Sequence, residues 1–304
     1  MQSTFDKPVP IAIIGGTGLY NLETLTPVAR LNVHTPWGAP SSPITISLTA
    51  SGTPIAFLAR HGPHHDLLPT EVPSQANIAA LKSLGVTCII AFSAVGSLQQ
   101  EIKPRDFVIP TQIIDRTKGI RPSTFFERGF VGHVGFGDPF DNELGDLIYD
   151  ACKDVLEGEN VIMHSRKGNE RDLTLICMEG PAFSTRAESK LYKSWGGDVI
   201  NMSCIPESKL AREAEIHYQM VCMSTDYDAW REDEEAVTVE TVVGNLKANS
   251  ANAERVAAKV LEIVEKKEWK RLEGTTAMSI STKSDGLRHH VKDKFKFLFP
   301  GRYD

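Results

Sequence analysis

Residues 10–18 read Pro10-Ile11-Ala12-Ile13-Ile14-Gly15-Gly16-Thr17-Gly18, an apolar run of strand type that stops abruptly at glycines. Backbone N–H groups at such a stop can approach an anion closely, and Thr17 adds a hydroxyl donor. Dinucleotide-binding folds begin in the same way, so the residues that follow decide between two kinds of α/β protein. Gly16 and Gly18 match that fingerprint, but Asn21 stands where its third glycine belongs. Leu25 to Pro43, with Pro27, Pro36, Pro40 and Pro43, reads as no crossover helix. No Gly-Lys-Ser/Thr phosphate loop occurs either. A plain tight turn accounts for the glycines equally well.

Outward from that strand, short apolar runs alternate with amphipathic ones. Ile55–Ala59, Val86–Phe92, Phe107–Ile114, Leu173–Met178, Val199–Met202 and Ile216–Ser224 read as strands. Ser74–Leu84, Asn142–Leu156, Arg186–Trp195 and Pro206–Ala214 read as helices, and Thr238–Lys267 as one long helix. Strands separated by helices imply an α/β sheet covered on both faces. Without a Ser/Gly-rich linker or a repeat, one domain is expected. The polar stretch 158–172 is expected to be a surface insertion, and the polar stretch 270–287 to be loose. The aromatic run Phe295, Phe297 and Phe299 ought to dock somewhere.

Composition narrows the class. With 41% hydrophobic and 24% charged residues, the chain has the composition of a globular protein, and neither disorder nor a fibrous class is indicated. A formal net charge of -6 argues against nucleic acid, which needs a basic face, yet allows a local pocket for one small anion. The five cysteines are odd in number and form no Cys-x-x-Cys, a pattern of free thiols in a reducing compartment. No secretory leader and no apolar stretch of about 20 residues is visible, so an intracellular protein without a membrane partner is expected.

Five strand ends carry candidate chemistry. Besides the glycine loop, Arg60-His61 closes a strand and suits a small oxyanion, although a surface Arg and a capping His fit too. His61, His64, His65 and Asp66 raise a metal site, but no further ligand has the right spacing, so no metal is expected. Ser93-Ala94-Val95-Gly96-Ser97, just past a strand, permits close approach of a ligand and lacks a nucleophile-elbow pattern. Asn201-Met202-Ser203 ends another strand. Asp226 and Asp228, two residues apart after the last strand, point the same way if extended, with capping or turn chemistry as the alternative.

Taken together, these residues resemble the trimeric purine nucleoside phosphorylases. The likeness rests on Ile14–Leu19, Leu58-Ala59-Arg60-His61-Gly62, Glu179-Gly180-Pro181 with Phe183-Ser184, Asp198–Met202, Pro206-Glu207 and Thr225-Asp226-Tyr227-Asp228. It spans about residues 10–265 and is specific in combination. It implies a single-domain twisted mixed sheet flanked by helices over residues 1–304, with 270–304 contributing to a subunit boundary in a homotrimer. It also implies a phosphate site of Thr17, Arg60, His61, Ser93, Ala94 and Ser203. The nucleoside would meet Phe183, Ser184, Met202, Asp226, Asp228, Val239 and Val242, with His133 and Leu298 supplied by a neighbouring subunit.

Within the family, a 6-oxopurine enzyme has Glu where Ser184 stands, Asn where Asp226 stands and His where Val239 stands. The resemblance therefore implies an aminopurine with an apolar 5'-group. The reaction would split 5'-methylthioadenosine into adenine and 5-methylthioribose 1-phosphate, with inosine or guanosine phosphorolysis as the alternative. Orthophosphate would be a co-substrate, no cofactor is needed, and the location would be cytoplasmic with the nucleus left open. Asp226, with Asp228 beside it, would share a proton with the purine N7. Lifting an Asp pKa from about 3.9 to about 7 costs roughly 4 kcal/mol, which burial and the second carboxylate could supply.

Overall fold

Ile11–Gly15 forms β1, and its side chains divide between two cores. Ala12 and Ile14 join one apolar cluster, Ile11 and Ile13 the other, as the twofold alternation of a strand requires. The structure, a computed structural model, describes residues 1–16, 25–156, 158–232, 237–283 and 286–302. Its further strands are β2 (Thr26–Leu31), β3 (Ile44–Leu48), β4 (Pro54–Ala59), β5 (Cys88–Ser97), β6 (Phe107–Val108), β7 (Gln112–Asp115), β8 (Met163–His164), β9 (Thr174–Cys177), β10 (Val199–Asn201) and β11 (His217–Asp226). The helices are α1 (Ser74–Ser83), α2 (Asn142–Cys152), α3 (Arg166–Asn169), α4 (Arg186–Ser194), α5 (Cys204–Glu213), α6 (Val239–Ala248), α7 (Ser250–Val264) and α8 (His289–Leu298).

The strands make one mixed sheet in the order β2-β3-β4-β1-β5-β10-β9-β7. β5 is its branch point. The first half of β5 runs parallel to β1 and its last residues pair antiparallel with β10, while β11 runs parallel along the opposite edge. Helices α1, α5 and α8 cover one face, α2 and α7 the other. The carboxyl ends of β1, β4, β5 and β11 therefore gather at one place, where ligands of open α/β sheets collect.

Leu25–Pro43 forms no crossover helix; β2 lies within it and makes an antiparallel ladder with β3. Four expectations need correction. Phe107–Ile114 splits into β6 and β7, since Pro110 has no N–H for the ladder. The long helix divides into α6 and α7 at Asn249, whose side-chain amide donates to the Arg105 carbonyl at 2.8 Å.

Stretch 158–172 is not a plain surface insertion. It contributes β8, parallel to β6, and His164 meets Asp106 at 3.0 Å in the interior. The tail, finally, docks on its own chain. Phe295 sits edge-on to Phe130 at 4.1 Å between ring centres, and Leu298 is only 1% exposed within the same core. Within the single chain Leu298 is therefore part of the core and does not line its own cavity.

Candidate active site

The strand ends enclose a cavity of about 820 Å³. Arg60, His61, Ser93, Ala94 and Ser203 line one part of it. Phe183, Met202, Asp226, Asp228, Val239 and Val242 line the rest. Eleven residues from six separate segments thus meet. Thr17 lies outside the described residues. Ser184 does not line the wall; it is buried, donates to Met178 Sδ at 3.4 Å and stands beside the Asp228 carboxyl. His133 is exposed and does not line this cavity, its N–H bonded to the Ser279 carbonyl.

Arg60 is 1% exposed at the end of β4. Its Nε and Nη2 donate to the two carboxylate oxygens of Glu207 at 2.8 and 2.9 Å, and Nη1 donates to the Phe92 carbonyl at 2.9 Å. Burial alone would pull the guanidinium's pKa down, but the paired carboxylate raises it above its ordinary value. Gly16 makes room for this head group: a Cβ there would lie 2.5 Å from Nη1 and 2.8 Å from the Phe92 carbonyl. That is a steric reason for the second glycine of the loop.

His61 is neutral. Burial, and next the positive charge of Arg60, push its pKa down to about 4. Its Nδ1 lies 3.0 Å from the Leu67 carbonyl, which can only accept, so the ring proton sits there and Nε2 is left an acceptor. An imidazolium for the oxyanion is not what this site offers.

Ser93 lies inside β5 rather than past its end, because the strand runs on to Ser97. Its hydroxyl is 3.1 Å from that of Ser203, and the Asn201 amide nitrogen donates to both, at 3.1 and 3.3 Å. The amide fixes two hydroxyls side by side beside Arg60, an arrangement suited to adjacent oxygens of one tetrahedral anion.

At the far end β11 stops at Asp226. The acidic pair is not an extended pair: Asp228 adopts φ +47°, a left-handed turn. Its N–H donates to Asp226 Oδ1 at 2.8 Å, and the Thr225 hydroxyl donates to Oδ2 at 2.7 Å. Burial raises the Asp228 pKa. Gly96 of β5 permits the close packing, since a Cβ there would meet Asp226 Oδ1 at 3.0 Å.

Two organisers have partners that the sequence does not mark. Arg121 is buried and donates to the Glu179 carboxylate and to the carbonyls of Glu179, Met202 and Ile205, tying the base-side loop to the phosphate-side loop. Glu207 holds Arg60 across a separation of 147 residues. Among the described residues, no group of three or more His, Cys, Asp or Glu is placed to hold a metal ion.

Comparison with known proteins places the site in context. The chain is 64% identical over 311 residues to the S-methyl-5'-thioadenosine phosphorylase of Candida albicans, covering 99% of this chain and 90% of that protein. The enzyme of the same name from Yarrowia lipolytica is 61% identical, with 99% and 95% covered. Among solved structures, a methylthioadenosine phosphorylase from an antarctic soil metagenomic library superposes with a TM-score of 0.88 at 40% identity, covering 97% of this chain and 100% of that one. The Schistosoma mansoni methylthioadenosine phosphorylase in complex with adenine gives 0.81 at 29% identity, covering 91% and 99%. The Phosphorylase superfamily model matches residues 10–262, and the chain belongs to that family.

Proposed function

We propose that this cavity splits 5'-methylthioadenosine with orthophosphate, releasing adenine and 5-methylthioribose 1-phosphate for purine and methionine salvage. The protein is then a pentosyltransferase of the purine nucleoside phosphorylase type. One observation carries the reading: a single cavity holds the Arg60, Ser93 and Ser203 donors together with the Asp226–Asp228 pair and the apolar Val239 and Val242. The names of the relatives support the substrate.

Cleaving the N-glycosidic bond leaves positive charge on the sugar and an electron pair on the purine. Arg60, Ser93 and Ser203 hold phosphate below C1', which turns a collision into a positioned attack. Its negative charge stabilises the oxocarbenium-like sugar as the C1'–N9 bond breaks and the C1'–O bond forms. Neutral His61 accepts, at Nε2, a hydrogen bond from the O–H that the phosphate carries. Phe183 and Met202 bracket the base, and Asp226 shares a proton with N7 while accepting from the 6-amino group. Asp228 orients Asp226 through its backbone N–H. Val239 and Val242 favour a thiomethyl group over a hydroxyl, which would lose its hydrogen bonds there. No step needs a metal or an organic cofactor.

The active form is read as a homotrimer in the cytoplasm, with exposed His133 given to a neighbour's 5'-pocket. The test is kcat/KM for 5'-methylthioadenosine, adenosine and inosine. Methylthioadenosine should lead by at least about tenfold, the worth of one misplaced hydroxyl. A preference for inosine would transfer the protein to the 6-oxopurine branch.

A further inference from the structure

We infer that Glu207 and Tyr218 are positioning residues for phosphate: they fix the rotation of the Arg60 guanidinium and so aim its free N–H groups into the cavity. The inference rests on the reading that Arg60 meets phosphate. Of a guanidinium's five N–H groups, Glu207 takes one on Nε and one on Nη2, and the Phe92 carbonyl takes one on Nη1. One N–H on each terminal nitrogen is left. Their direction is set by the bidentate grip of Glu207, whose carboxylate is as buried as the guanidinium itself.

Glu207 is held in turn. The Tyr218 hydroxyl, on the buried strand β11, donates to Oε1 at 2.7 Å. Oε1 therefore receives Nη2 and a phenol together, which locks the carboxylate plane. The Gly16 backbone stands against Nη1 on the other side. While these bonds are made, the guanidinium and its carboxylate share one fixed rotation.

The charges make the role testable by its sign. Glu207 cancels the charge of Arg60, and His61 is neutral, so the phosphate end of the cavity is close to neutral and leaves the bound anion its nucleophilic charge. Glu207→Gln makes this end one charge more positive, which by Coulomb attraction alone should tighten phosphate binding. Positioning demands the opposite. A Gln amide offers one acceptor where the guanidinium presents two donors, and its own NH2 faces an N–H, so the guanidinium turns away.

The experiment measures kcat and the KM values for orthophosphate and 5'-methylthioadenosine, with the thermal midpoint, for wild type, Glu207→Gln, Tyr218→Phe and Arg60→Ala. Glu207→Gln should raise the phosphate KM by about 30-fold or more, within the range of one lost charged hydrogen bond. Tyr218→Phe should raise it roughly three- to tenfold. The nucleoside KM should stay within about twofold in both.

A phosphate KM that falls or stays unchanged in Glu207→Gln, with only the midpoint or the active fraction reduced, overturns the positioning role. Should Glu207→Gln fail to fold, Tyr218→Phe decides alone, and an unchanged phosphate KM there overturns it. An Arg60→Ala enzyme with a normal phosphate KM refutes the phosphate site itself, and the inference with it.

Discussion

The backbone N–H of Asp228 donates to Oδ1 of Asp226 at 2.8 Å, just where the chain enters the left-handed conformation of Asp228. One acid is thus held by the other's main chain, and its second oxygen takes the Thr225 hydroxyl. Such a carboxylate keeps its orientation whether or not a purine is bound.

Asp226→Asn keeps this shape but removes the group that shares a proton with N7. General acid catalysis is worth roughly 10²- to 10⁴-fold, so kcat/KM for methylthioadenosine should drop by about that factor. The Asn amide can donate to a 6-oxo group, so residual activity should shift relatively toward inosine. Steady-state kinetics on both substrates checks this, and full activity in the variant rules the role out.

Gly16→Ala places a methyl group 2.5 Å from Arg60 Nη1 and 2.8 Å from the Phe92 carbonyl, neither of which has room to yield. Overpacking of this kind costs about 1–3 kcal/mol. Because the strain falls on the guanidinium, the phosphate KM should rise roughly tenfold or more while the nucleoside KM changes little. Equal loss for both substrates would mean that Gly16 serves only the fold.

Much of this was legible in the sequence, and the gaps have physical causes. β1, β4, β5 and β11 are nearly continuous apolar runs, because a strand covered on both faces must be apolar on both. β3 had a readable signal as well: Ile44 and Ile46 alternate with Thr45 and Ser47, a period of two that the surrounding prolines obscured. Arg60 and Asp226, at the ends of β4 and β11, and Ser93 within β5 could be placed for that reason.

The roles of Arg121 and Glu207 could not be placed, since their charged partners Glu179 and Arg60 lie 58 and 147 residues away and a lone charge carries no mark of its mate. Burial also reverses what residue type suggests. His61 titrates near pH 6.5 by residue type, and enclosure beside Arg60 pushes that down to about 4.

The pKa of His61, pushed down to about 4, sets a pH dependence. In the unfolded chain the ring takes its proton near pH 6.5, in the folded one only near 4. Neutral His61 thus contributes stability fully above about pH 6.5, and this is lost as pH falls toward 4. A shift of that size is worth roughly 3 kcal/mol. Denaturant unfolding of wild type and His61→Gln at pH 7.5 and 4.5 should show the wild-type advantage shrinking by about that amount. A constant difference contradicts a neutral His61.

Leu298 is enclosed by its own chain together with Phe295 and Val291. Leu298→Ala should therefore cost about 2–5 kcal/mol of stability and leave the preference for methylthioadenosine over adenosine unchanged. Chemical denaturation and the ratio of kcat/KM values decide it. A changed ratio with little loss of stability would return Leu298 to the 5'-pocket of a neighbouring subunit.

The central claim is phosphorolysis of a 5'-thionucleoside in the cavity between Arg60 and Asp226. Phosphorus NMR of purified protein with 5'-methylthioadenosine and orthophosphate, with adenine release followed in parallel, tests it most directly. The account predicts one sugar 1-phosphate formed per adenine released, and no adenine when phosphate is left out. Adenine released at an equal rate without phosphate, with free methylthioribose as the other product, would contradict it.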